Sequence, residues 1–94
     1  MYLLRCKGGR YYAGITTEPR RRYEQHLRGV RAGGAKFTSM YPPETMAALW
    51  QAADRAAASR LERRLKAMPH EEKTALAQGK PLPDYERSPI PEGI

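Results

Sequence analysis

The 94-residue chain predicts an α+β fold, and two features carry the prediction. Near its start, two runs rich in strand-favouring residues, Tyr2-Leu3-Leu4-Arg5-Cys6 and Tyr11-Tyr12-Ala13-Gly14-Ile15-Thr16, flank Lys7-Gly8-Gly9-Arg10. Paired glycines supply the positive φ angles of a tight turn, so the runs read as an antiparallel hairpin. Further on, Ala57, Ala58, Leu61, Leu65 and Met68 recur at helical spacing behind Asp54, a residue suited to cap a helix. A hairpin and a helix with one apolar stripe must bury those surfaces against each other.

The other elements follow in order. Thr17 is placed as an N-cap, Glu18 suits the positive end of the helix dipole and Pro19 is tolerated in a first turn, which gives a helix over 18–28. Gly29 ends it, and a basic, glycine-rich loop carrying Arg28 and Arg31 continues to Gly34. Lys36-Phe37-Thr38 leads into the turn-forming Tyr41-Pro42-Pro43. The apolar stretch Thr45-Met46-Ala47-Ala48-Leu49-Trp50-Gln51 fits helix or strand by pattern. The helix capped by Asp54 runs to about Met68, and a shorter one spans Pro69 to Gly79 with Glu71 and Glu72 in its first turn. The expected organisation is one domain over residues 1–80 and a proline-rich tail, 81–94, that wraps the surface or stays disordered.

Composition narrows the function. No apolar run approaches the roughly 20 residues of a membrane helix, and no secretory leader is visible, so a cytoplasmic protein with no membrane partner is expected. Cys6, the single cysteine, sits in an apolar strand and reads as a buried, inert thiol. The net charge of +7 divides unevenly: residues 1–66 carry +9 and the remainder −2. Positive charge concentrated this way attracts a polyanion, with strong dependence on salt.

Within the basic half, Tyr2 and Tyr12 lie on neighbouring strands, and Arg22 and His26, four residues apart, share a helix face. Singly, each has an ordinary reading: a strand tyrosine packs, an arginine within Arg20-Arg21-Arg22 is a solvated helix face, and Glu62 among Arg60, Arg63 and Arg64 is a surface ion-pair partner. Together, in this order and with Gly14 behind Tyr12, phenol, guanidinium and imidazole suit the handling of a phosphodiester. The arrangement resembles the GIY-YIG (URI-domain) nuclease family, in particular its small single-domain bacterial members. Met1-Tyr2-Leu3 and Tyr12-Ala13-Gly14 stand where the family has its two motif strands, with Tyr2, Tyr12, Gly14, Arg22 and His26 on functional positions. The likeness continues through Gly33-Gly34-Ala35-Lys36-Phe37-Thr38 and Pro69-His70-Glu71-Glu72-Lys73, covering about the first eighty residues. The first motif lacks its glycine and isoleucine, Ala13 replaces an isoleucine, and Leu27 stands where many relatives have an asparagine.

The resemblance implies that residues 45–51 form a third strand, making a small three-stranded antiparallel sheet flanked by helices. It also implies metal-dependent endonucleolytic cleavage, with Tyr2, Tyr12, Arg22, His26 and Glu62 as the catalytic set and Glu62 as the metal ligand. One carboxylate suits Mg²⁺ or Mn²⁺ held weakly until nucleic acid brings a phosphate. Arg22 can grip two phosphate oxygens through its planar fork. A tyrosine, with a pKa near 10, needs nearby positive charge to act as a base. By resemblance, one of Tyr2 and Tyr12 takes a proton from the attacking water and the other positions it or the phosphate, while His26 is an alternative base or a phosphate ligand. Arg28, Arg31, Lys36, Thr38, Arg60, Arg63 and Arg64 suit contacts to the nucleic-acid backbone. Single-stranded or branched DNA is the expected substrate, with an RNA-directed nuclease or a noncatalytic nucleic-acid-binding module of the same fold as alternatives. Phe37 and Trp50 read as core residues, though Phe37 beside Lys36 could stack on an unpaired base.

Overall fold

The computed structural model describes the backbone of residues 1–94 and every side chain except that of Ala32. Gly8 and Gly9, at φ 81° and 72°, turn the chain through a short 3-10 segment between β1 (Tyr2–Cys6) and β2 (Arg10–Gly14). The strands pair antiparallel with Leu4 opposite Tyr12 and Tyr2 opposite Gly14. The expected hairpin is therefore present, in a register that lays the Tyr2 phenol over a residue without a side chain.

β3 (Pro43–Gln51) pairs with the other side of β1. Its ambiguous pattern has a physical cause, because helices cover both faces of the sheet and the strand carries an irregularity. Leu3 faces Ala48 while Leu4 faces Met46, so Ala47 is an extra residue. That bulge shifts the alternation of side chains, and Met46 and Ala48 enter cores on opposite faces although they are two residues apart.

The sheet has four strands, in the order β2-β1-β3-β4, and this corrects the expectation of three. The fourth, β4 (Glu86–Arg87), pairs with Trp50 and Gln51 at the edge of β3. Two residues between prolines carry no alternation to read, and the pairing is a backbone matter. The tail does wrap the surface: Leu82 is buried, Tyr85 donates to the Ala57 carbonyl at 3.1 Å, and Arg87 donates to the carbonyls of Leu76 and Ala47 at 2.7 and 3.2 Å.

On one face, α3 (Arg55–Ala67) and α4 (His70–Ala77) bury Leu61, Leu65 and Leu76 against Leu3, Ala13, Ala48 and Trp50. Asp54 caps α3 as expected, accepting from the Ala57 N–H at 2.8 Å. On the other face, α1 (Pro19–Arg28) and α2 (Lys36–Met40) meet Tyr2, Leu4, Cys6, Met46 and Leu49, with Tyr23 supplied by α1 and Ile90 and Ile94 by the tail. Cys6 is buried, and burial pushes its thiol up to about 11, as an inert thiol requires. Two local expectations change. The residue at the N-cap of α1 is Glu18, with no side-chain cap, and the Thr16 hydroxyl rather than Thr17 receives the Glu18 N–H, at 3.0 Å. The segment 36–40, expected to lead directly into a turn, is the short helix α2.

Candidate active site

β1 is interior to the sheet, and its first residue, Tyr2, is 1 % exposed. The ring can lie where it does because Gly14 faces it: a Cβ there would sit 2.3 Å from the Tyr2 oxygen and 2.5 Å from Cζ, well inside contact distance. Glycine at 14 is thus a steric requirement of the phenol, at a backbone angle open to other residues.

Pro19 and Gly29 bound α1, and Arg22 and His26, one turn apart, both reach Tyr2. The Tyr2 hydroxyl lies 2.8 Å from His26 Nε2, and Arg22 Nε donates to the Tyr2 oxygen at 3.4 Å. Arg22 Nη1 donates to Gln25 Oε1 at 3.1 Å and to the Gly33 carbonyl, which fixes the plane of the guanidinium; Nη2 makes no hydrogen bond among the described residues. His26 is 1 % exposed, and its Nδ1 lies 2.8 Å from Thr38 Oγ1. The Tyr12 ring, half-buried, stands 5.0 Å from the imidazole and 6.5 Å from the Tyr2 ring, centre to centre.

Glu62 approaches from the opposite helix layer, on α3, which packs on β2. Its side chain is 26 % exposed, with the Lys66 ammonium 3.9 Å away. Its charge acts on the Tyr2 phenol only weakly and through space, whereas the guanidinium and the imidazole are within hydrogen-bond distance of it. Three side chains from β1 and α1 therefore converge, with Tyr12 beside them, and Glu62 stands on α3 across the sheet.

Burial governs the titration of this cluster. The Tyr2 phenol is pushed up to about 12 by burial; the hydrogen bond and charge of Arg22 act in the lowering direction expected from sequence and are outweighed, while the charges of Tyr12 and Glu62 add to the rise. Burial, followed by the charge of Arg22, lowers His26 to about 4. At neutral pH the pair is a neutral phenol against a neutral imidazole.

The backbone-contact candidates divide. Arg28, Arg31 and Lys36 are exposed on the α1–α2 side, and Arg60, Arg63 and Arg64 are exposed on α3. Thr38 is the exception and corrects the expectation: it is 1 % exposed, its hydroxyl donates to the Ala35 carbonyl at 3.0 Å, and it faces His26 rather than solvent. Sequence reasoning missed Gln25, three residues after Arg22 and so within its reach on a helix. It could not find Ala35, which takes part through its carbonyl alone. A cavity of about 460 Å³ lined by Arg5, Tyr11, His70 and Thr74 lies apart from the cluster. No group of three or more His, Cys, Asp or Glu side chains able to hold a metal occurs among the described residues, and no helix of the structure is long and apolar enough to cross a membrane.

Comparison with known proteins agrees with this geometry. The model of the GIY-YIG catalytic domain matches residues 1–73, which include every residue of the cluster. A UPF0213 protein of Xanthomonas axonopodis pv. citri (strain 306) is 44 % identical over 94 residues, covering the whole of this chain and 89 % of the relative. A UPF0213 protein of Vibrio cholerae serotype O1 (strain ATCC 39315 / El Tor Inaba N16961) is 38 % identical over 79 residues, covering 84 % of this chain and 76 % of the relative. No solved structure matches the chain. With a phenol, a guanidinium and an imidazole gathered on a helix-covered antiparallel sheet, and with the matched domain spanning most of its length, the chain belongs to the GIY-YIG family, whose function is of the nuclease type.

Proposed function

We propose that the protein is a metal-dependent endonuclease that hydrolyses phosphodiester bonds in DNA, with single-stranded or branched DNA as its substrate. The observation that carries the reading is the shared focus on Tyr2, whose oxygen both Arg22 and His26 touch, within a chain matched by the GIY-YIG catalytic domain.

Each group has a task in the hydrolysis. Arg22 is held by Gln25 and Gly33 so that Nη2 is left to face a phosphate oxygen, a charge-assisted contact that strengthens as negative charge builds in the transition state. Glu62 is the residue that would hold Mg²⁺ or Mn²⁺; a single, partly exposed carboxylate fits an ion that keeps most of its waters and takes further oxygens from the substrate. Bound there, the ion would supply positive charge to the phosphate and acidify a coordinated water. Tyr2, neutral and aimed at Nε2, orients the attacking water and passes a proton toward the imidazole, a transfer that the phosphate's negative charge favours. Tyr12, half-buried beside them, contacts the phosphate or the water.

The preference for unpaired strands is supported by a row of half-buried rings leading away from the cluster. Tyr12 stacks on Phe37 at 5.8 Å, Phe37 lies 5.2 Å from Tyr41, and the Arg10 guanidinium stands 4.0 Å over the Tyr41 ring. Aromatic surface next to Arg10 and Lys36 suits splayed bases and their phosphates better than a closed duplex.

The test is a panel of labelled single-stranded, duplex, flap and forked DNAs with matched RNAs, incubated with and without Mg²⁺ or Mn²⁺. Cleavage of the unpaired or branched DNAs should require metal. It should fall at least a hundredfold in Glu62→Ala and Arg22→Ala proteins that remain folded by circular dichroism. Binding without cleavage under every metal condition would replace this reading with a noncatalytic binding module, and cleavage confined to RNA would reassign the substrate.

A further inference from the structure

We propose that Thr38 is a positioning residue for the reaction: by accepting the Nδ1 proton of His26 it fixes the imidazole tautomer whose Nε2 receives the proton of Tyr2. The proposal rests on the nuclease reading above and adds to it a buried residue, 1 % exposed.

The argument is a count of protons. Thr38 has one hydroxyl proton, and its geometry commits that proton to the Ala35 carbonyl at 3.0 Å. Toward His26 it therefore offers only a lone pair, and the 2.8 Å contact with Nδ1 is met by an N–H on the imidazole. A neutral imidazole with its proton on Nδ1 has an acceptor at Nε2, 2.8 Å from the Tyr2 oxygen, so the phenol donates there. The lone pairs of that oxygen are left for the Arg22 Nε–H at 3.4 Å. From Arg22 Nε through the Tyr2 hydroxyl and His26 Nδ1 to the Thr38 hydroxyl, each donor in the chain then meets an acceptor, ending at the Ala35 carbonyl.

The opposite tautomer fails the same count. With the proton on Nε2, both Arg22 and His26 would donate to the Tyr2 oxygen, and the phenol proton would find no acceptor among the described residues. Thr38 would have to turn its only proton to Nδ1; the Ala35 carbonyl would keep the Ser39 N–H at 3.1 Å, so the decisive loss is the unpaired proton of the buried phenol. Buried polar groups in folded proteins are paired, so the first arrangement is the native one. α2, a five-residue helix with one buried side chain, Thr38, carries that hydroxyl to the imidazole. Tyr2 can accept a proton from water only if its own has somewhere to go, and Nε2 is that place.

The proposal is tested on the full chain by ¹⁵N NMR of the histidine rings together with steady-state cleavage. In the unsubstituted protein near pH 7, His26 should show a protonated Nδ1 and an unprotonated Nε2. Thr38→Val, which keeps the shape and removes the acceptor, should lose that signature and lower kcat at least tenfold while changing KM less than twofold; Thr38→Ser should restore both. A protonated Nε2 in the unsubstituted chain overturns the proposal without any variant. So does a Thr38→Val protein that keeps kcat, or one in which KM alone rises, since the latter marks a substrate contact. If Thr38→Val fails to fold, the native tautomer and the Thr38→Ser kinetics still decide. The expected NMR pattern with no cleavage by any protein would support the hydrogen-bond assignment and overturn the nuclease reading on which its catalytic part rests.

Discussion

Replacing Gly14 by alanine should damage the protein far more than an alanine in a strand ordinarily does, and the cost should run through one partner. The added Cβ would sit 2.3 Å from the Tyr2 oxygen and 2.5 Å from Cζ, so the ring must retreat by about 1 Å to reach ordinary contact. It has little freedom to do so, being 1 % exposed and tied to His26 at 2.8 Å. Overpacking of this kind costs about 1–3 kcal/mol, and a displaced phenol that leaves Nε2 unsatisfied adds about 1–3 kcal/mol. The smaller entropy of an unfolded chain with alanine offsets about 0.4–1 kcal/mol of this. These ranges combine to a net loss of about 1–6 kcal/mol with a middle of about 3 kcal/mol, and that middle value lowers Tm by roughly 10–25 °C in a domain of this size. Urea and thermal denaturation would measure it, and a double-mutant cycle with Tyr2→Leu would locate it. In the Tyr2→Leu background the same Gly14→Ala change should cost less than about 1 kcal/mol, because the colliding phenol is gone. An unchanged Tm for Gly14→Ala alone, or an equal cost in both backgrounds, would refute the steric account.

Three further outcomes are expected. Because burial lowers His26 to about 4 from an ordinary 6.5, the unfolded chain takes up a proton there before the native protein does. Stability should therefore fall as pH drops through 6.5 toward 4, by roughly 3 kcal/mol once below 4, and the acid slope should flatten in His26→Gln; identical slopes would contradict it. Arg87→Ala should cost about 1–2 kcal/mol in urea, since that guanidinium binds the Leu76 and Ala47 carbonyls and holds the tail to α4 and β3; no change in midpoint would show those bonds to be idle. Asp54→Ala should cost about 0.5–2 kcal/mol through loss of the bond to the Ala57 N–H, read in the same assay, whereas Asp54→Asn should recover most of it.

How far the chain could be read before its structure depended on whether an element announces itself locally. The hairpin did so through Gly8 and Gly9, α1 through Pro19 and Gly29, and α3 through Asp54 and its apolar stripe. α2 has no capping side chain and only five residues, too few for a period to be seen. β3 gave an ambiguous pattern because both its faces are covered and the bulge at Ala47 breaks the alternation. β4 is a backbone pairing with nothing in its side chains to betray it. At the cluster, Tyr2, Arg22 and His26 were legible because a strand face and a helix turn fix their directions. Thr38 was misread as a surface contact, since a threonine beside a lysine looks solvated until α2 turns it inward. The protonation of Tyr2 was equally hidden, because the depth of burial that outweighs Arg22 is a property of the assembled sheet.

The central position of β1 has a consequence for motion. Its amides and carbonyls are bonded on one side to β2 and on the other to β3, with helices above and below, so they should be among the slowest in the molecule to exchange with deuterium. Because Tyr2 stands on that strand, its backbone is held by the most protected part of the sheet. Heating or denaturant should then free the Tyr2 backbone and melt the sheet at a single midpoint.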